Sequence, residues 1–197
     1  DDGAQVNQSG LPGMDQDLVK PLARKAEKLY KAIYLNTKVT KMEESANEVK
    51  VTFEGKADPL EQSFDRVLVA VGRVPNTQNL GLENTGVKLD EKGFIIVDEQ
   101  RRTGEKAIFA IGDVTGHPLL AHKAIHEGKI AAEVIAGHPA AFDVAAIPSV
   151  VYTHPEIATS GLSEKDATAM GYQVRTGKYP WVASGRAITM GEMDGID

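Results

Sequence analysis

The stretch FAIGDVTGHPLLAHKAIHEG, Phe109 to Gly128, decides how the rest of the chain is read. A short apolar run ends in the pair Gly112-Asp113, and Pro118 then opens a helical pattern that continues to Ile135. Gly112 has no side chain to hold the backbone away from a ligand, and Asp113 can accept hydrogen bonds from hydroxyl groups. The helix carries small residues at Ala121, Ala124, Gly128, Ala131 and Ala132, so it can lie close to whatever it faces. Its first turn offers N–H groups at Leu120, Ala121 and His122, which together with the helix dipole favour negative charge. On these few residues alone a plain strand, turn and helix with a capping aspartate is the favoured reading, because Gly-Asp corners are common.

Upstream, Asp15 to Tyr30 places Leu18, Leu22, Ala26 and Leu29 at helical spacing, with Pro21 tolerable inside the first turn. Ile33 to Met42 and Glu48 to Phe53 read as strands, and Glu54 to Gln62 as the polar connection leaving them. Val67 to Val71 is an unbroken VLVAV, the texture of a strand covered on both faces, as in a parallel sheet. The texture then changes to GRVPNTQNLGLENTGV, which marks a domain crossing. Gly93 to Asp98 and Ala107 to Ile111 give two further short strands. Downstream, a second boundary falls near Ile147, followed by a strand, a turn and a helix starting at Ser163, an N-cap residue followed by acids that suit the positive end of the helix.

Composition narrows the possibilities. A net charge of -6 argues against a general nucleic-acid surface, which needs gathered Lys and Arg. No long apolar run spans a membrane, and Asp1 to Gly13 lacks the basic and apolar regions of a secretory signal, so it reads as a frayed or truncated start and the location as cytoplasmic. With no cysteine the chain holds no disulfide, no thiolate metal site and no thiol nucleophile.

A longer string weighs against the plain reading of the corner. Thr103, six residues, then Ala110-Ile111-Gly112-Asp113 resembles the second FAD motif of the pyridine nucleotide-disulfide oxidoreductases. LAHKAIHEGKIAAEVIAG resembles the dihydrolipoamide dehydrogenase branch more than the glutathione or mercuric reductase branches. VLVAVGRVPN, IPSVVYTHPEIA and YPWVASGRA extend the likeness over most of the chain, from about Asp15 onward.

That resemblance implies an α/β fold taken in part. Residues 1–71 would be the rear of an NAD-binding domain with a parallel-sheet remnant, 72–146 a central FAD-contacting segment, and 147–197 the start of an α+β dimer-interface domain. It implies FAD and NAD as cofactors. Asp113 would bind the ribityl and diphosphate region beside Gly112, and Ala121, with Leu120 and His122, would turn backbone N–H groups to the isoalloxazine. Val39 would stand beside the NAD adenine, and Ala70 to Gly72 would end a strand against the dinucleotide. Arg73 lies at the same edge, where a solvated arginine is an equally open reading. The implied partners are a second copy of the chain and a lipoyl-bearing E2 or glycine-cleavage protein. The redox disulfide, both Gly-rich phosphate loops and the His-Glu base of the family would lie outside Asp1 to Asp197, so no residue here receives a catalytic role and the isolated chain should not turn over. A non-catalytic dimerisation or binding module, or part of a glutathione or mercuric reductase, are the alternative readings.

Several residues resemble sites without making one. His122 and His126 stand four apart on one helix, yet HKAIH lacks the glutamate of a zinc peptidase motif, and no metal site is assigned. His126-Glu127 is not the family's base pair, since neighbours on a helix point about 100 degrees apart. His154-Pro155-Glu156 reads as a structural turn, and Tyr179 and Trp181 as packing residues of an interface strand.

Overall fold

The computed structural model describes residue 11 and residues 14–196, so the frayed start expected at Asp1 to Gly13 lies outside the described residues except at Leu11. Two compact units emerge: Arg73–Ser149, and the flanking segments Asp1–Gly72 with Val150–Asp197.

In the flanking unit, helix α1 spans Gln16–Leu29 and buries Val19; Pro21 lies inside the helix, beyond the first turn expected to tolerate it, so its missing N–H removes one helical hydrogen bond. Strands β1 (Lys38–Glu44), β2 (Val49–Glu54) and β3 (Glu61–Phe64) follow as an antiparallel meander in the order β1-β2-β3. Ser45 closes the first turn, its N–H and hydroxyl both donating to the Glu48 carbonyl. Val51 is buried, and Phe53 stacks between Tyr34 and Phe64 at 6.0 and 6.5 Å. β3 falls partly in the segment read as a polar connection: EQSF has no apolar alternation, and pairing with β2 alone makes it a strand.

The expected strand Val67 to Val71 is not formed. It runs without a ladder partner, with Leu68 91% and Val71 73% exposed. An unbroken apolar run says only that a segment needs cover; a strand also needs at least one neighbour to pair with, and none of the described strands supplies it. The mixed helix-and-sheet character stands, while the three-stranded sheet that does form is antiparallel.

After β4 (Ser149–Val151) and β5 (Ile157–Thr159), which pair as a two-stranded sheet, helix α3 runs over Glu164–Ala169. Ser163 caps it, as expected, by accepting the N–H of Asp166 at 3.0 Å. Helix α4 spans Gly185–Met190, and Lys178 pairs with Asp17 of α1 at 2.6 Å. Tyr179 and Trp181 do not lie on a strand: Trp181 opens a 3₁₀ turn, and the Tyr179 hydroxyl donates to the Ala183 carbonyl at 2.7 Å. His154 lies 3.1 Å from Glu192.

In the unit Arg73–Ser149, the two short strands expected at Gly93 to Asp98 and Ala107 to Ile111 are reduced to single bridges, Leu89 with Ile95 and Arg102 with Phe109. Helix α2, Ala121–Ile135, is the unit's main helix. It starts three residues later than the sequence pattern suggested, because Leu120 is still extended, with φ -132. Ile130, Ala131 and Val134 of α2 are buried, and Phe94, Ile95, Ala110 and Leu119 complete the unit's core. No helix among the described residues is long and apolar enough to cross a membrane.

Candidate functional site

The extended chain through Ala110 and Ile111 turns sharply at Gly112, which opens a 3₁₀ turn over Gly112–Thr115. Gly112 has φ +80, and a Cβ there would stand 3.2 Å from the Ala124 Cβ, so both the turn and the approach of α2 require glycine. Asp113 follows with a half-exposed carboxylate.

Arg73 is not merely solvated. One nitrogen of its guanidinium donates to Asp113 Oδ2 at 3.0 Å and the other to the Leu119 carbonyl at 2.7 Å, linking the corner to the approach of α2. At the helix start, the Leu120 N–H is already used by the Pro118 carbonyl at 3.1 Å, so it is not among the N–H groups open to a ligand. Ala121 and His122 head the helix with no side-chain cap, and their N–H groups make no hydrogen bond among the described residues. The His122 ring turns to the Pro148 carbonyl, Nε2 to O 2.7 Å, whereas His126 packs on Phe142 at 5.5 Å. The two histidines therefore serve different partners.

Beneath the corner lies a polar cluster that sequence reasoning missed. Glu127 is fully buried, and its Oε1 accepts Arg101 Nη1 at 2.9 Å and Lys123 Nζ at 3.3 Å. Its Oε2 accepts the Gly112 N–H at 2.6 Å. Lys123 Nζ in turn donates to the Gly112 carbonyl at 3.1 Å and the Gly116 carbonyl at 2.9 Å. The Thr115 hydroxyl bridges the same set, donating to Gly112 O at 2.8 Å. The Arg101 guanidinium lies 4.8 Å above the Phe142 ring, and its Nε has no hydrogen-bond partner among the described residues. The signal was present: Lys123 and Glu127 fall on the same helical stripe as Ile130, Ala131 and Val134, so two charges sit on the buried face and call for partners there.

The other expected site residues belong to the flanking unit. Val39 lies in β1 opposite Phe53, next to a register shift between Val39 and Lys41, while Ala70 and Gly72 are exposed and unpaired. The described residues therefore divide the expected contacts into two sets. Gly112, Asp113, Leu120, Ala121 and His122 gather around one corner and one helix start; Val39, Ala70 and Gly72 are scattered along the flanking unit.

A glycine corner carrying a half-exposed carboxylate, anchored from below and followed by an uncapped helix, has the chemistry to accept hydroxyl groups and to favour negative charge. Comparison with known proteins places that element in a family. The description "Pyridine nucleotide-disulphide oxidoreductase" matches residues 5–128, and that of the same family's dimerisation domain matches residues 147–196. The first match covers more than half of the chain, which belongs to the pyridine nucleotide-disulphide oxidoreductase family. The chain is 46% identical over 187 residues to a dihydrolipoyl dehydrogenase of Vibrio parahaemolyticus, covering 94% of this chain and 39% of the relative. A dihydrolipoyl dehydrogenase of Geobacillus stearothermophilus is 43% identical, over 94% and 40%. Among solved structures, LpdA from Mycobacterium tuberculosis superposes with a TM-score of 0.85 at 28% identity, over 96% of this chain and 41% of that one. The HOCl-induced flavoprotein disulfide reductase RclA from Escherichia coli gives 0.85 at 26%, over 97% and 43%. The chain thus spans about two fifths of the length of the relatives it matches.

Proposed function

We propose that this chain forms part of an FAD-dependent dihydrolipoyl dehydrogenase that oxidises dihydrolipoamide to lipoamide with NAD as acceptor. The observation that carries the flavin assignment is the corner itself: Asp113 stands half-exposed on a turn whose preceding residue is bonded at both its N–H and its carbonyl. A protein carboxylate held on a fixed turn loses little freedom when it binds a ligand.

The residues fit FAD. Asp113 would accept the ribityl hydroxyls, and Gly112 keeps the backbone close to the ligand. The N–H groups of Ala121 and His122, at the positive end of the 15-residue α2, would face negative charge on the isoalloxazine. FAD, when bound, supplies the two-electron chemistry between dithiol and nicotinamide. Arg73 would have to share Asp113 with the ligand or turn aside to the Leu119 carbonyl it already holds.

In this reading residues 1–71 belong to the NAD domain, with Val39, Ala70 and Gly72 at the nicotinamide cofactor. Residues 72–146 contact FAD, and residues 147–197 pair with a second copy of the protein in a homodimer. A lipoyl-bearing E2 or glycine-cleavage protein delivers the substrate in the cytoplasm. Without cysteine this chain has no thiol to accept electrons from the dithiol, so alone it does not turn over.

A melting-temperature titration tests the flavin assignment. FAD should raise the melting temperature of the chain saturably, and Asp113→Ala should abolish most of the rise without lowering the unliganded melting temperature by more than a degree or so, as for a surface substitution. An equal rise in the variant would refute a role for Asp113.

A further inference from the structure

Gly112 is held by α2 from both sides of its own peptide groups. Glu127 Oε2 takes its N–H at 2.6 Å, and Lys123 Nζ takes its carbonyl at 3.1 Å. The two side chains are an i,i+4 pair, 0% and 4% exposed, so one face of one helix carries both jaws of the clamp. Arg101, 11% exposed, holds the carboxylate from the opposite direction at 2.9 Å, with its guanidinium stacked over Phe142.

Apolar packing alone would place this helix more cheaply, since burying a carboxylate and an ammonium costs more than burying two leucines unless every lone pair and proton is matched. Here both carboxylate oxygens are matched, and all three ammonium protons have acceptors within reach: Gly112 O, Gly116 O and the Thr115 hydroxyl or Glu127. The acceptors on the loop are all at residues 112–116, the segment that carries Asp113. None of these buried groups is open to a ligand; what they determine is the orientation of the residue that is.

We infer that Glu127, with Lys123 and Arg101, is a positioning residue that fixes the Gly112 peptide and thereby aims Asp113 at its ligand. The ligand side rests on the flavin reading above, while the clamp itself does not. Charge is essential to it. A neutral Glu127→Gln side chain keeps the size, but its NH2 replaces one acceptor oxygen, so its donors face either the Gly112 N–H or the Arg101 and Lys123 cations. It also leaves two cations unpaired beneath the corner.

Two measurements on the full chain test this. In the unmodified chain without FAD, long-range NMR should show a hydrogen-bond coupling between the Gly112 amide and the Glu127 carboxylate carbon, and slow exchange of that amide. Absence of the coupling with free exchange overturns the clamp. Next, FAD dissociation constants are compared for the unmodified chain, Asp113→Ala, Glu127→Gln and the double variant. Glu127→Gln should weaken binding about tenfold, in line with one charge-assisted hydrogen bond, and should cost little more once Asp113 is alanine. Losses that simply add would mean that Glu127 only stabilises the helix, and would overturn its positioning role. If the unmodified chain shows the coupling but takes up no FAD, the flavin assignment fails and the clamp survives; should Glu127→Gln not fold, the coupling in the unmodified chain still decides.

Discussion

At the scale of single residues, two glycines on either side of the contact between the corner and α2 make opposite demands. Gly112 combines φ +80 with a close approach to Ala124, so Gly112→Ala should destabilise the unit by about 1–3 kcal/mol in chemical denaturation. Gly128 is helical, and a Cβ there would meet only the Ile111 Cδ1 at 3.2 Å, the flexible end of a side chain that is 41% exposed. Gly128→Ala should therefore be neutral or stabilising by up to about 1 kcal/mol, through helix propensity. Equal losses at both would mean that the approach of α2, not the left-handed turn, sets the requirement. Glu127→Ala leaves Arg101 and Lys123 facing each other without their anion, and urea unfolding should show a loss of about 3–5 kcal/mol. Gly112 and Asp113 stand out in the sequence because a long family-like string carries them. Glu127 does not, because His126-Glu127 reads as a neighbouring pair, whereas the residue's role follows from the stripe it shares with Lys123 and Ile130.

Among the elements, those announced by capping or periodicity matched the expectation closely. α1 and α3 begin within a residue of their expected starts, α3 because Ser163 caps it. Elements made by pairing alone were hidden: the first half of β3 reads as part of a polar connection, and Val67 to Val71 reads as a strand although no described strand pairs with it. The packing of α1 includes its ion pair with Lys178, whose hydrogen bond holds the Asp17 carboxyl below its ordinary value of 3.8. A carboxyl lowered on folding contributes stability that is present above 3.8 and lost as pH falls through the lowered value. Lys178, raised above 10.5 by the same hydrogen bond, contributes stability present below that pH and lost as pH rises through the raised value. Both side chains are well exposed, so the effect is small and screened by salt. Melting temperatures of the chain and of Lys178→Met should differ most at neutral pH in low salt, and converge as pH falls through the lowered Asp17 value or in about 1 M salt. A constant difference across that range would mean that the contact is apolar packing by the lysine stem.

For the whole molecule, the dominant fact is apolar surface without cover. Leu68, Val69, Val71 and Val74 are each more than half exposed within eight residues of chain. An extended apolar segment with unpaired backbone is a template for association. The chain should self-associate as its concentration rises, and Leu68→Lys, at a side chain 91% exposed, should reduce the association without lowering the melting temperature. Light scattering that shows a monodisperse chain at all concentrations would contradict this. The same segment explains why the sequence was a better guide to family than to local structure. VLVAVGRVPN carries the resemblance whether or not a partner strand is present, but only a partner strand makes it a sheet.

On the proposed function, the Gly112-Asp113 corner and the start of α2 act as one flavin-binding element. Amide NMR of the chain during FAD titration tests it most directly. Saturable shifts concentrated at Gly112, Asp113, Ala121 and His122 are expected, all lost in Asp113→Ala. A folded chain whose shifts under FAD fall elsewhere, or nowhere, would contradict it.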